Sequence, residues 1–281
     1  MLKTRILTAA ILVPAVLAAL FLLPPRAWGV VALVVVALAA HEWGRLIGNA
    51  GARWAWSVFS LLMLGLFLLF APAAGFAQGW PGSTIYWVCG IASAFWLLVA
   101  PAWVIKRWPT RGRPGMEALG ILVLGATWMA LVELQAHSPW LVLAAMAIVW
   151  IADTAAYFSG RAFGRRKLAP QVSPGKTWEG VYGAWAAVAI YALVLSFFAQ
   201  DAGFRGAVTP LAIALWILFA LLLASISVVG DLFESLLKRH ANMKDSGTLL
   251  PGHGGILDRI DALLAAMPLA ALAAHAFLAR A

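Results

Sequence analysis

Charge is scarce in this sequence. Asp, Glu, Lys and Arg make up 11% of its 281 residues, less than half of the roughly 25% that a soluble domain carries. That excludes a water-soluble globule. Cysteine is scarcer still. Cys89 is alone, so no disulfide framework of the secreted kind can form. The five histidines, His41, His137, His240, His253 and His275, are scattered, which argues against a zinc centre. No internal repeat and no linker-like stretch interrupts the chain, which reads as one domain over 1–281.

Apolar side chains are what the sequence has in abundance, at 64%. At about 20 residues per bilayer crossing, that is enough for roughly nine spans. Apolar runs lie near 6–23, 27–43, 54–70, 85–105, 117–134, 140–159, 181–199, 209–229 and 255–278. They are continuous and rich in Ala and Leu, so they predict helices rather than the alternating strands of a barrel. The expected fold is an all-α polytopic membrane protein of about nine transmembrane helices.

Basic residues orient those spans. With the N-terminus in the cytoplasm, the tail and even-numbered loops hold Lys3, Arg5, Arg45, Arg53, Lys106, Arg107, Arg111, Arg113, Arg161, Arg165, Arg166, Lys167, Lys176, Lys238, Arg239 and Lys244. The other side holds only Arg26, Arg205 and Arg280, while Arg259 falls in the start of the last helix. This predicts the N-terminus inside and the C-terminus outside. Lys3 and Arg5 before an apolar run also resemble a signal peptide, but no clear cleavage site follows, so the first span is read as retained. The net charge of +9 is then mainly a topology signal and an attraction to the cytoplasmic leaflet. No nucleic-acid partner is expected. Trp28, Trp43, Trp54, Trp80, Trp108, Trp140 and Trp178 lie near span ends and are read as interfacial anchors.

Seven of the eleven acids, Asp153, Glu179, Asp231, Glu234, Asp245, Asp258 and Asp261, fall between 153 and 261 on the cytoplasmic side of that topology. Acids in spans are costly and mark functional sites by default. The others read more plainly: His41 and Glu42 as a polar helix end, Glu133 and His137 as interfacial caps on the outer side.

The acids sit in two dense segments. In the first, Asp153 and Tyr157 lead through Gly160, Arg161, Gly164, Arg165, Arg166 and Lys167 to Ser173-Pro-Gly-Lys176-Thr177-Trp-Glu179-Gly180. Ser173 is read as the cap of the next helix with Pro174 at its first position. Such an end, with Lys176 and Thr177, would cradle phosphate; an ordinary capped basic loop is the plainer alternative. In the second, Gly230-Asp231-Leu-Phe-Glu234-Ser235-Leu-Leu-Lys238-Arg239 leads through Lys244, Asp245, Pro251, His253, Gly254 and Gly255 to Asp258-Arg259-Ile-Asp261. On a helix, Asp231 and Glu234 share a face and Glu234 reaches Lys238 at i+4. Asp258 and Asp261 share a face of the last helix. Two acids at each of two helix ends suit Mg²⁺ with substrate phosphate; simple charge pairing with Lys238, Arg239 and Arg259 is the alternative.

The stretch from Ser235 to Asp261 resembles the pattern of the phosphatidate cytidylyltransferase (CDP-diacylglycerol synthase) family. That pattern is Ser-x-apolar-Lys-Arg, four residues, Lys-Asp-x-small, two residues, then apolar-Pro/Gly-x-His-Gly-Gly-apolar-x-Asp-Arg-apolar-Asp, and every position is met. The Asp-Thr-x-Ala-Tyr, Gly-Arg-x-Phe-Gly and Ser-Pro-x-Lys-Thr-x-Glu-Gly runs resemble the family too. Gly175 departs from it, standing where a second lysine is expected.

The resemblance implies transfer of a cytidylyl group from CTP to phosphatidic acid with Mg²⁺, giving CDP-diacylglycerol and pyrophosphate, and leaves room for a second cation and for a homodimer. It implies a catalytic portion at about 150–265, facing the cytoplasm of a bacterial inner membrane. Carried over, Asp231 and Asp258 are metal ligands, with Glu234 beside them. Asp231, Asp258, Asp261, Lys238 and Arg259 form the catalytic set. Substrate contacts are expected from Asp153, Lys167, Ser173, Lys176, Thr177, Glu179, Ser235, Arg239, Lys244, Asp245 and His253, with Gly254 and Gly255 admitting close backbone approach. A transporter of an anionic substrate is the alternative of another class, but the acids gather at one face and no repeat is present. A membrane phosphotransferase consuming a CDP-lipid is nearer, yet its Asp-Gly-x-x-Ala-Arg run is absent.

Overall fold

A computed structural model describes residues 2–48, 79–198, 209–250, 252 and 254–278. The span expected at 54–70 lies outside the described residues, as do His253, Trp54 and Arg205. The described helices are α1 (Leu2–Leu22), α2 (Pro25–Leu46), α3 (Gly82–Lys106, with a π-helical turn at Phe95–Val99), α4 (Met116–His137), α5 (Pro139–Phe163), α6 (Trp178–Phe198), α7 (Pro210–His240) and α8 (Leu257–Leu278). Seven of them, α2 to α8, are long and apolar enough to cross a membrane. Each expected run outside 54–70 has its helix. α7 runs on past the end of its apolar run to His240, which puts Asp231, Glu234 and Lys238 on helix.

α8 is the central helix, packed against α7, α4 and α3, with α5 and α2 beyond. Its alanines make this possible: Ala262, Ala265, Ala266, Ala270 and Ala271 are all buried. Small residues let helix backbones approach where lipid supplies no hydrophobic drive. Gly230 of α7 does the same from the other side, since a Cβ there would stand 2.6 Å from the Asp261 carbonyl oxygen. This crossing brings the acids of α7 next to those of α8.

Between α5 and α6 the chain forms a two-stranded antiparallel hairpin, β1 (Lys167–Ala169) and β2 (Ser173–Thr177), with Lys167 opposite Thr177 and Ala169 opposite Ser173. This corrects the expected helix start. Ser173 and Pro174 are strand residues, and the cap of α6 is Thr177, whose Oγ1 accepts from the Gly180 N–H at 3.2 Å. A proline at the edge of so short a sheet costs no ladder bond it could have made.

One end of the bundle gathers the C-terminal ends of α2, α3 and α7 and the start of α8. Gly112 N–H donates to the Ile47 carbonyl at 2.8 Å, and Thr110 Oγ1 meets His240 Nδ1 at 2.8 Å. At the opposite end Glu133 is not an interfacial cap but a buried clamp. It accepts from Trp80 N–H at 2.7 Å and lies 2.8 Å from His275 Nδ1. Trp28 and Trp43 are likewise buried in the bundle, their indole N–H groups donating to the Leu131 and Met116 carbonyls. Trp140 and Trp178 remain exposed.

Candidate active site

Four acids and two lysines meet where α7 crosses the start of α8. Lys238 contacts Glu234 one turn back on α7 and reaches Asp258 Oδ1 on α8 at 2.7 Å. Lys176, carried in by β2, pairs with Asp231 Oδ2 at 2.7 Å, while Ser235 Oγ donates to Asp231 Oδ1 at 3.3 Å. Asp261 lies within electrostatic range of Asp231, Glu234, Lys176 and Lys238. Asp153 of α5 stands in range of Lys176 and Asp231. Four carboxyl groups thus share two ammonium groups in this cluster. Glu234 is buried, and its Oε1 has no hydrogen-bond partner.

Asp258 is held in place. Its Oδ2 accepts the backbone N–H groups of Ser246 at 2.9 Å and Gly255 at 2.7 Å. The loop that supplies them is organised by Glu42 of α2, 4% exposed. Glu42 accepts from Ser246 Oγ at 2.7 Å, Ile256 N–H at 3.1 Å and Leu257 N–H at 2.8 Å. These backbone donors are the orphan N–H groups at the start of α8, where a carboxylate is favoured. Glu42, expected as a polar helix end, is instead a buried acceptor that organises this loop. The available signal was an acid within an apolar run, which the cost of burying charge makes suspect.

The glycines after Pro251 serve this network. Gly254 has φ +86°, and a Cβ on it would stand 2.6 Å from Asp258 Oδ2; one on Gly255 would overlap Glu42 and Ser246. The space they leave is filled by the protein's own carboxylates.

Other expected contacts lie further out. Glu179 accepts the Arg165 N–H at 3.0 Å and the Arg166 N–H at 3.2 Å, tying the hairpin to α6. Thr177 is buried against Gly160, Gly164 and Gly180. Arg239 Nε donates to the Val172 carbonyl at 3.2 Å, fastening α7 to the hairpin turn. Lys167, Lys244, Asp245 and Arg259 are exposed around the site, and Ser173 is half-buried in β2. Among the described residues no three Asp, Glu, His or Cys side chains are already gathered as a metal site. Asp231 and Asp258 are instead each engaged by a lysine.

Fold and site together define an α-helical integral membrane protein with a charged acid–lysine site at one end of its bundle. The sequence profile of the Cytidylyltransferase family matches residues 3–277. The chain belongs to that family. It is 40% identical over 278 residues to the phosphatidate cytidylyltransferase of Pseudomonas aeruginosa, covering 95% of each chain. To the phosphatidate cytidylyltransferase of Haemophilus influenzae it is 38% identical over 285 residues, covering 95% of this chain and 96% of that one. The Bacillus subtilis phosphatidate cytidylyltransferase is 35% identical over 175 residues, 61% of this chain and 62% of its own.

Proposed function

We propose that the chain transfers the cytidylyl group of CTP to phosphatidate, leaving CDP-diacylglycerol in the membrane and releasing pyrophosphate. The observation that carries this reading is the convergence of Asp231, Glu234, Asp258 and Asp261 with Lys176 and Lys238 at one end of the bundle. A phosphate oxygen of phosphatidate attacks the α-phosphorus of CTP, and the bond from that phosphorus to the bridging oxygen of pyrophosphate breaks. The attacking oxygen is already anionic, so neither a serine or cysteine nucleophile nor a strong base is needed. The obstacle is repulsion between two polyanions, and positioning with electrostatic stabilisation is what lowers it.

The donor set fits Mg²⁺: hard carboxylate oxygens and a buried Glu234 oxygen without a partner. Asp231, Asp258 and Glu234 would hold the ion, which when bound offsets charge on the triphosphate and on the leaving pyrophosphate. Lys176 and Lys238 keep positive charge beside the same acids and screen the incoming lipid phosphate. Asp261 supports the acid set. Arg239, Lys244, Lys167 and Arg259 line the approach for an anionic nucleotide.

We place this end of the molecule in the cytoplasm, where CTP is found, with nine spans in a bacterial cytoplasmic membrane. The basic residues of the 106–113 loop support this, since that loop packs against the same end. Purified protein in detergent with CTP, phosphatidate and Mg²⁺ should yield CDP-diacylglycerol and pyrophosphate, and EDTA should stop it. Absence of product from folded wild type would refute the reaction.

A further inference from the structure

Phe233 stands among the acids of α7, directly before Glu234 and two residues after Asp231. It is 1% exposed. At 3.6 residues per turn it projects about 100° round the helix from Glu234 and about 160° from Asp231, so it packs away from the charges. Four aromatic rings enclose it. Phe95, Trp96 and Trp103 of α3 meet it edge-to-face, their centroids 5.6, 5.6 and 5.7 Å away at interplanar angles of 89°, 84° and 84°. Trp43 of α2 closes the enclosure at 6.3 Å, within 22° of parallel.

The enclosure is built and pinned. Eight residues along a regular α-helix leave two side chains about 80° apart. The wider π-helical turn at Phe95–Val99 closes that angle between Phe95 and Trp103, whose centroids are 6.4 Å apart; such turns recur at functional sites. Trp43 Nε1 donates to the Met116 carbonyl at 3.1 Å and Trp103 Nε1 to the Trp108 carbonyl at 2.9 Å, so two walls cannot swing. Edge-to-face contacts are directional. Three of them on one ring oppose rotation of α7 about its own axis, which an aliphatic side chain would resist less. Gly230 lets α7 approach α8 but has no side chain with which to set that rotation. Carboxylate oxygens stand about 5–6 Å from a helix axis, so a turn of about 10° moves them by about 1 Å. A displacement of that size costs about 10²-fold in rate. Trp43 also follows Glu42. Neighbouring residues at the end of α2 therefore hold both halves of the site, Glu42 the loop that fixes Asp258 and Trp43 the ring beside Glu234.

We propose that Phe233 is a positioning residue: keyed into this aromatic enclosure, it sets the rotation of α7 and so aims Asp231 and Glu234 at the metal. The inference rests on the metal role proposed above and adds what directs the acids. It gives the π-helical turn of α3 a purpose, since that turn brings Phe95 and Trp103 onto one ring.

Mn²⁺ takes the same hard oxygen ligands as Mg²⁺ and reports the site without turnover, by paramagnetic resonance of purified protein in detergent. Phe233→Leu removes the enclosed ring, and Trp103→Leu opens the enclosure from α3 without touching α7. Either variant should weaken Mn²⁺ binding about tenfold and raise the Mg²⁺ concentration for half-maximal rate by a similar factor. Turnover should fall by about 10–100-fold while KM for phosphatidate stays within about twofold. Leu236→Val is the control. Leu236 is buried on the same helix at 2% exposure and carries no ring, so the variant should lower the unfolding temperature and leave Mn²⁺ affinity unchanged. Unaltered Mn²⁺ affinity in the ring variants, or an equal loss in Leu236→Val, would overturn the proposal while leaving the metal site standing. Wild type that binds no Mn²⁺ would overturn the metal site and this proposal with it. Should Phe233→Leu fail to fold, Trp103→Leu decides.

Discussion

Lys238 is the counter-charge of the site. Its ammonium group bridges Glu234 and Asp258, whose side chains are 3% and 6% exposed. Removing one partner of such a buried set costs about 3–5 kcal/mol because the others are left uncompensated. Lys238→Met should therefore lower the unfolding temperature in detergent as well as abolish activity. Lys176→Met should differ: its pair with Asp231 is 22% and 29% exposed, so stability should barely move while activity falls. Equal destabilisation by the two variants would contradict this assignment. Asp231→Asn and Asp258→Asn should each reduce turnover by about 10²-fold or more with the fold intact, checked by circular dichroism; near-normal activity would remove that residue from the metal set. Glu42→Gln tests positioning. The amide must point an N–H group at donors that a carboxylate accepts from two oxygens. Turnover should drop about 10–100-fold with a raised Mg²⁺ requirement and an unchanged KM for phosphatidate.

The hairpin is the element that converts a membrane bundle into a site, because β2 delivers Lys176 to Asp231. It is anchored at both ends, by Arg239 at the turn and by Glu179 at the entry. Its packing needs glycine: a Cβ on Gly164 would lie 2.9 Å from Thr177 Cγ2 and overlap the Gly160 carbonyl. Thr177→Val keeps the shape but removes the cap of α6, which should cost about 1 kcal/mol, read as a lower unfolding temperature with KM for CTP raised. The hairpin was not legible beforehand. Ser-Pro is a good helix start by local rules, and only pairing of 173–177 with 167–169 overrides it. The helices were legible because continuous apolar runs have one solution in lipid.

At the scale of the whole molecule, charge separates the two ends of the bundle. The site end carries the acid–lysine cluster and the basic loops, while the opposite end is closed by Glu133 with His275 and Trp80. The proposed orientation has a direct check. A reporter fused after Ala281 should be active on the outer side of the membrane, and a cytoplasmic signal would rule out nine spans with an inside N-terminus.

The amino-acid sequence by itself determined the membrane class, the helices outside 54–70, the family and the short set of acids and lysines from which the proposed site is drawn, because apolar run length and motif spacing are local properties. Tertiary structure decided which of those charges meet. Asp231 and Asp258 are joined through Lys176 and Lys238, and the glycines of the 254–255 turn fold around Glu42, some 200 residues away in sequence. It also buried Trp28, Trp43 and Glu133 against partners far away in the sequence. These outcomes depend on how closely helices can cross, as at Gly230, and on which buried polar atoms find partners, and neither is encoded in any one stretch of chain.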